Sequence, residues 1–598
     1  MGRAEQNVIL QPAAGWVFWV HMHEVTRDAS PLSSAPPGER NRSWSKDLLW
    51  LALLFAVFYG LGLGRHALSN PDEGRYAEIP REMVASGDWI TPRLNGVNYF
   101  EKPPLMYWAV ATCLKLFGPE EWSMRAMPVL FGLGGVLLTY AAGRKLYGRD
   151  AGVAAAIVLG TSLLYFIIAH IILLDMAVSV LMSATLFCFI LGVREAPGAT
   201  RRWLFYGLYA SAALATLTKG LIGFLVTGAV MFLWLLIFNQ WKRLRPLHLP
   251  TGLLLFLAIA VPWHVLVARH NETWVHRYFV YEHWQRFFTP AAGRTGAWYY
   301  YIGIILAGLI PWVGFLVPAV RDSLRGGWAA RAKNADAWFL ITWVVFVFLF
   351  FTKSNSKLPP YILPVFPALA VLVGAWLARV NGTADATARI RFGLGIFSGF
   401  SALLASALVL VVSVPALIAR VRLDPVQAEK LHPVALSLAA VLLVGAGLTP
   451  WLARSRGVRG AVAGMVATIA LFLSVLQFAA GDIQKPGTKE LALLVSARVQ
   501  PGDRVVHYHD FFHDFTFYAG RLVDVVGSRG EIELEEDAAA RASGRFMDEA
   551  EFRRRWNGPA RLWVVAQKDD TKELFADPAF RYHLISETKK HYLFSNQP

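Results

Sequence analysis

Residues 69–108, SNPDEGRYAEIPREMVASGDWITPRLNGVNYFEKPPLMYW, decide how the rest of the chain is read. Asp72, Glu73, Arg75, Glu101 and Lys102 crowd this window together with turn-formers and aromatics, and apolar runs flank it on both sides. In a 598-residue chain that is 55% hydrophobic, such a polar island needs a reason. The reading adopted is the floor of an active site at a membrane surface.

Outward from this window the chain is dominated by apolar runs. A helix that crosses a bilayer needs about 20 predominantly apolar residues. Such runs occupy 47–64, 126–143, 151–169, 171–193, 203–218, 220–240, 250–268, 297–319, 336–352, 359–378, 392–419, 433–453 and 458–479, thirteen in all. Only 17% of residues are charged and the mean hydropathy is +0.41, which fits a polytopic α-helical membrane protein and not a soluble enzyme. A formal charge of +16 would suggest nucleic acid in a soluble chain. Here the bases sit mostly in short loops between apolar runs, where they set orientation and meet anionic headgroups. Membrane lipids are the expected partners, and nucleic acid is not.

Six alternate loops carry three or four bases each, for example Arg144/Lys145/Arg149, Lys242/Arg243/Arg245 and Arg454/Arg456/Arg459, and the N-terminal tail is basic as well. With thirteen spans all of these fall on one side, which the positive-inside rule makes the cytoplasm. The loop 65–125, the segments 269–296, 353–357 and 420–432, and everything beyond about 480 then face the opposite side. The bases of 420–432 have no account under that rule, whereas the 65–125 loop is long enough to escape it. Within that loop Leu105 to Phe117 is apolar but too short to span, so it is expected at the interface.

Residues 1–46 read as a disordered cytoplasmic extension without the marks of a signal peptide, and Met22 is an alternative start. The expected catalytic body is 47–480. Beyond it, in 481–598, charge rises and β-rich runs (Arg504–Tyr508, Leu562–Ala566, His591–Ser595) alternate with helix-like ones (Lys489–Arg498, Asp548–Arg555), so a small α/β domain outside the membrane is expected. His507, His509 and His513 are clustered there, a pattern more often incidental than metal-binding. Cys113 and Cys188 are too differently placed for a bridge between them to be expected.

Several side chains are candidates for chemistry. Asn70-Pro71-Asp72-Glu73 is a good helix start, with Asn as cap and the acids complementing the dipole. A carboxylate at that place can also reach a lipid headgroup and act as general base. Asp175 lies about one turn inside the fourth run, where an acid is costly and needs a partner. It is either a tie between helices or part of the same site. Glu101-Lys102-Pro103-Pro104 holds a charged pair on a stiff extended segment, and a lysine there is a point-charge phosphate ligand. In Tyr281-Glu282-His283-Trp284-Gln285-Arg286-Phe287, the pair Glu282/Arg286 is either i,i+4 helix support or a second phosphate clamp. Lys353, Lys357 and Tyr361 add two cations and a phenol at the same face. Arg75, Glu73 and His283 complete the candidate set. The chain has no Walker loop, dinucleotide fingerprint or HExxH motif, so a nucleotide-sugar donor is not indicated.

DEGRYAEI (72–79), SGDWITPRLNGVNYFEKPPLMYW (86–108), YEHWQRF and SKLPPYILPVFPALA together closely resemble the aminoarabinose transferases of lipid A modification, the bacterial arm of the protein mannosyltransferase-like GT-C glycosyltransferases. The resemblance covers roughly 47–480. Gly74 departs from it, since Ala or Thr is expected there. It implies a GT-C fold of about thirteen spans followed by a periplasmic domain, in the bacterial inner membrane. It also implies transfer of 4-amino-4-deoxy-L-arabinose, with inversion, from undecaprenyl phosphate to a lipid A phosphate on the periplasmic face, a modification linked to polymyxin resistance. Carried over residue by residue, Asp72 and Asp175 resemble the two acids of the reaction centre, and Lys102, Arg286, Tyr361 and Arg75 the partners of the donor phosphate. No cofactor is required by it, although relatives divide over metal and a divalent cation at Glu101 stays open. The alternatives are a sibling transferase with another polyprenyl-linked sugar or a protein acceptor, and a lipid transporter. No repeated halves with broken midplane helices favour the transporter.

Overall fold

The described parts of the thirteen apolar runs are helical: two runs form bent helix pairs, and the last two share one long helix. The computed structural model describes residues 37–285, 296–414, 417, 425–483, 487–527, 532 and 537–598. The chain divides into two units, Met1–Leu49 and Trp50–Pro598. Helix α1 (Pro37–Gly60) begins ten residues before the expected run at 47, so the last part of the extension expected to be disordered is helical; residues 1–36 lie outside the described residues.

The 65–125 loop contributes α2 (Asp72–Ser86), a hairpin of β1 (Arg93–Leu94) and β2 (Val97–Asn98), and α3 (Leu105–Phe117). Then follow α4 (Glu121–Tyr147), α5 (Arg149–Gly160) bent by 64° against α6 (Leu163–Ala169), α7 (Leu174–Arg194), α8 (Ala199–Lys219), α9 (Ile222–Phe238) and α10 (Leu249–His270). A π-helical turn at His276–Gln285 precedes α11 (Tyr300–Gly308), which meets α12 (Val313–Ser323) at 105°. The body ends with α13 (Ala335–Lys353), α14 (Phe366–Asn381), α15 (Ala386–Ser413) and α16 (Pro425–Ile483). By length and apolarity seven of the described helices can cross a membrane, or nine with each bent pair as one span, so the count of thirteen rests on the sequence runs. In α16, Gly457 leaves the helical region at φ 63°, and this break falls between the runs at 433–453 and 458–479. The two halves fold back on each other so tightly that a Cβ at Gly445 would lie 2.3 Å from the Thr468 side chain.

The final part is a six-stranded mixed sheet of order β5-β4-β3-β6-β8-β7, built from β3 (Arg504–Tyr508), β4 (Asp524–Val526), β5 (Phe546–Met547), β6 (Leu562–Gln567), β7 (His583–Glu587) and β8 (His591–Ser595). The first four are parallel and the last two antiparallel. Helices α17 (Lys489–Arg498), α18 (His513–Ala519), α19 (Ala538–Ala542), α20 (Glu549–Trp556) and α21 (Lys572–Ala576) flank it. Asp548 caps α20 by accepting the Glu551 amide.

One apolar core runs without interruption from the 65–125 loop into this sheet. Tyr76, Ile79, Met83 and Val97 pack with Phe511, Phe515, Val523 and Trp563, all buried. Each such side chain contributes about 1.5–3 kcal/mol relative to exposure. A second core of Val506, Tyr508, Phe552, Val564 and Phe594 belongs to the C-terminal sheet alone, so this small mixed-sheet domain shares only one of its two cores with the loop. The hairpin fits the shared core through its Asn95-Gly96 turn, whose φ values of 53° and 72° are those of a two-residue turn matched to strand twist. Asn95 then exchanges two hydrogen bonds with the Val523 backbone, at 3.0 and 2.9 Å.

Candidate active site

Helix α2 presents its first turn to the site. The expected Asn70 cap is not formed: Pro71 occupies the cap position without a side-chain bond. Glu73 instead accepts the Ser69 amide and hydroxyl, both at 3.0 Å. Glu73 also faces inward, 1% exposed, where Arg125 of α4 donates to both its oxygens at 2.8 and 2.7 Å. Burial opposes its charge, but Arg125 outweighs this and holds the carboxyl below its usual range. The Ile172 amide, three residues before Asp175, approaches the same carboxylate at 3.4 Å. Glu73 thus ties the Asp72 turn to the Asp175 turn and is spent on structure.

Asp72 points the other way, with a side chain 56% exposed. Buried Arg75 donates to it at 2.6 Å and to the Tyr99 hydroxyl at 3.2 Å. A carboxylate open to solvent above a fixed guanidinium is free to meet an acceptor while its orientation is held.

Asp175 sits in the first turn of α7, and Lys219 is the last residue of α8. Both positions complement the respective helix dipoles, and the two side chains are ion-paired. The Lys219 ammonium also lies 4.3 Å above the ring of Tyr361. Lys219 was not among the residues singled out in the sequence; its place at the end of an apolar run, just before Gly220, was the available signal.

Lys102 donates to the Glu282 carboxylate at 2.8 Å and to its neighbour's carbonyl, with the Glu101 carboxylate at 3.8 Å. The Glu282 segment is π-helical, and Arg286, with the side chain of His283, lies outside the described residues, so the expected Glu282/Arg286 pair falls outside them as well. Arg277 was likewise missed. Its guanidinium lies 3.9 Å from Glu282 and 3.9 Å over the Tyr281 ring, and it lines a cleft with Asn98, Tyr99, Phe100 and Glu101.

Tyr76, Tyr99 and Tyr107 join these groups. All three phenols are pushed up, first by burial. That of Tyr76 also feels Arg75, Glu101, Asp72 and Asp175, and that of Tyr107 feels Glu101 and Glu282. Arg75, which holds Asp72, also donates to Tyr99, and Tyr76 stacks on Tyr107 with ring centroids 6.0 Å apart. Lys353 is exposed, and Lys357 donates to the Ser354 carbonyl at 2.8 Å.

The residues about Glu101 do not make a good divalent-cation site, because Lys102 competes for it. Among the described residues no group of three or more His, Cys, Asp or Glu is placed to hold a metal. The three clustered histidines part company: His507 accepts the Phe512 amide, His509 faces Glu549 and His513 faces Asn70. Cys113 and Cys188 are both free.

A many-helix membrane body, a folded 65–125 loop and acids paired with lysines accord with a glycosyltransferase of the GT-C type, the class to which the comparisons assign the chain. Residues 101–265 match the family described as dolichyl-phosphate-mannose-protein mannosyltransferase. The chain is 33% identical over 377 residues to the undecaprenyl phosphate-alpha-4-amino-4-deoxy-L-arabinose arabinosyl transferase 2 of Proteus mirabilis, covering 62% of this chain and 67% of that one. It is 34% identical to the corresponding transferase of Edwardsiella ictaluri, covering 60% and 64%. The matched segment thus spans about two thirds of these relatives' length. In structure it is similar to ArnT from Cupriavidus metallidurans bound to undecaprenyl phosphate, with a TM-score of 0.79 and 27% identity over 92% of this chain and 97% of that one. The chain belongs to the undecaprenyl phosphate–aminoarabinose arabinosyl transferase family.

Proposed function

We propose that the protein moves 4-amino-4-deoxy-L-arabinose from undecaprenyl phosphate to a phosphate of lipid A at the periplasmic face of the bacterial inner membrane. The added amine lowers the negative charge of the outer surface, a route to polymyxin resistance. The observation that most supports this reading is the similarity, over nearly the whole of both chains, to an ArnT structure holding undecaprenyl phosphate.

The chemistry is a single displacement at the anomeric carbon, with inversion. The bond from that carbon to the lipid phosphate breaks as the acceptor oxygen attacks from the opposite side. Charge develops on the departing phosphate, and Lys102, Tyr361 and Arg286 are its proposed ligands, with Arg75 nearby. Lys102 begins engaged with Glu282, so the donor phosphate takes over an ammonium already held in place. Asp72, exposed and oriented by Arg75, aligns the acceptor. A phosphate acceptor is already largely ionised at neutral pH, so alignment contributes more than proton removal. Asp175, with Lys219, is the second acid of the centre.

Mass spectrometry of lipid A from cells with and without the protein tests the function. The expected result is an added aminopentose that depends on the protein. A different added sugar, or a glycosylated protein with unchanged lipid A, points to a sibling transferase, and no covalent change at all points to a transporter.

A further inference from the structure

The segment that carries Asp72 is gripped from outside the membrane by one short helix. Asn70 Oδ1 accepts both the backbone amide and Nδ1 of His513, each at 3.2 Å. Two residues earlier, the Leu68 amide donates to the Tyr518 hydroxyl at 2.8 Å. Two residues after Asp72, Gly74 meets the helix backbone so closely that a Cβ would lie 2.5 Å from the Asp514 nitrogen. This accounts for glycine where Ala or Thr was expected, since any side chain would pry the two surfaces apart. His513, Asp514 and Tyr518 all belong to α18, so residues 68–74 are held at three points by one element.

The geometry also fixes the state of the imidazole. Because the His513 amide can only donate, Asn70 presents an oxygen to it, and Nδ1 must carry the ring proton to share that oxygen. Burial, and then the nearby Arg75, push the ring down to about 3, so it stays neutral. Its Nε2 is buried and has no hydrogen-bond partner among the described residues. Of the two neutral tautomers only Nδ1–H serves the contact.

We propose that His513 is a positioning residue of the reaction centre, its Nδ1–H···Asn70 bond setting the Asn70-Pro71-Asp72 turn so that Asp72 stands correctly before the acceptor. The inference rests on the role assigned to Asp72 above. The C-terminal sheet then has a part in turnover as well as in folding. Acids in such sites need placing to within a fraction of an ångström, and an error of about 1 Å costs roughly 100-fold.

The test uses the full-length protein in detergent, with undecaprenyl-phosphate-linked aminoarabinose as donor and lipid A as acceptor. An Asn side chain places its amide nitrogen where His has Nδ1, whereas Gln places it near the Nε2 position. His513→Asn is expected to keep kcat within about threefold of wild type, and His513→Gln and His513→Ala to lose at least about 10-fold, with the donor KM within twofold throughout. Asn70→Ala should lose as much as His513→Ala, and the double variant no more than either alone. Equal kcat in His513→Asn and His513→Gln, wild-type kcat in the folded fraction of His513→Ala, or losses that multiply in the double variant would each overturn the proposal. Should His513→Ala not fold, the Asn and Gln pair decides. Asp72→Asn is assayed in parallel. Full activity there removes the assigned role of Asp72, whereas an inactive Asp72→Asn beside fully active His513 variants removes only the positioning.

Discussion

Arg125 spends every N–H it has on one corner of the 65–125 loop. Nε and one terminal nitrogen grip Glu73 in a bidentate pair, and the remaining donors reach the carbonyls of Leu63, His66 and Ala67. The side chains are 0% and 2% exposed. Removing one partner of such a pair leaves the other charged and buried, at a cost of about 3–5 kcal/mol. Glu73→Gln and Arg125→Lys should each lower the thermal unfolding midpoint in detergent, because lysine cannot reproduce the planar fork. The double variant Glu73→Leu/Arg125→Met should be less damaged than the sum of Glu73→Leu and Arg125→Met. Additive losses would show that the pair does not act as a unit.

Asp72→Asn should lower turnover far more than donor binding. The amide keeps the size of the side chain but loses the carboxylate proposed to act at the acceptor, whereas the proposed ligands of the donor phosphate are untouched. A loss of about 100-fold or more in kcat, with the donor Kd unchanged, is the expected outcome in steady-state transfer and lipid-binding assays. Wild-type kcat would reject the assignment.

Lys219→Met removes the partner of Asp175 while keeping the length of the side chain. Asp175 would then be left charged without its cation or would take up a proton, and either change disables it in its proposed role as second acid. Transfer is expected to fall by about 10- to 100-fold, with Lys219→Arg retaining more activity than Lys219→Met.

What could be read from the sequence, and what could not, follows from the range of the forces involved. The apolar runs announced the helices because a helix in lipid must be apolar along its own length, and the break at Gly457 separates two runs that composition had already separated. Strands β3 and β8 and helix α17 began and ended where their local patterns put them. Asp72, Lys102 and Asp175 were visible as charges out of place. The distant partners of Asp175 and Glu73 were not. Lys219 and Arg125 lie 44 and 52 residues from the acids they serve, and no local rule pairs residues so far apart. The Asn95-Gly96 turn was a missed signal of a different kind, since that dipeptide flags a hairpin on its own. Glu73 was misread as a site acid because sequence shows charge and not direction.

Glu282→Gln should strengthen the hold of the site on the lipid phosphate. Glu282 holds the Lys102 ammonium, and under the proposed role of Lys102 the incoming phosphate displaces it. Neutralising the competitor is expected to tighten binding of undecaprenyl phosphate by about 10-fold, or about 1.4 kcal/mol. Release of the spent carrier then slows, so kcat falls while affinity rises. Weaker binding in the variant would show that Glu282 supports the phosphate site and does not oppose it.

Glu82 gives the outer loop a pH dependence with a definite sign. Its carboxyl accepts the Asn95 and Gly96 amides at the tip of the hairpin, and burial, followed by the charge of Glu78, pushes it up to about 8. An exposed glutamate in the unfolded chain titrates near 4.3. Between those values the folded state holds a proton that the unfolded state has lost, so stability declines as pH rises across that window. It is fully present below the mid-4s and gone above about 8, with a slope of up to about 1.4 kcal/mol per pH unit. Hydrogen exchange at the Asn95 and Gly96 amides should therefore quicken from pH 6 to 8 by more than the intrinsic chemistry requires. Glu82→Gln, which cannot ionise, should abolish that excess. An excess of equal size in the variant would place the titrating group elsewhere.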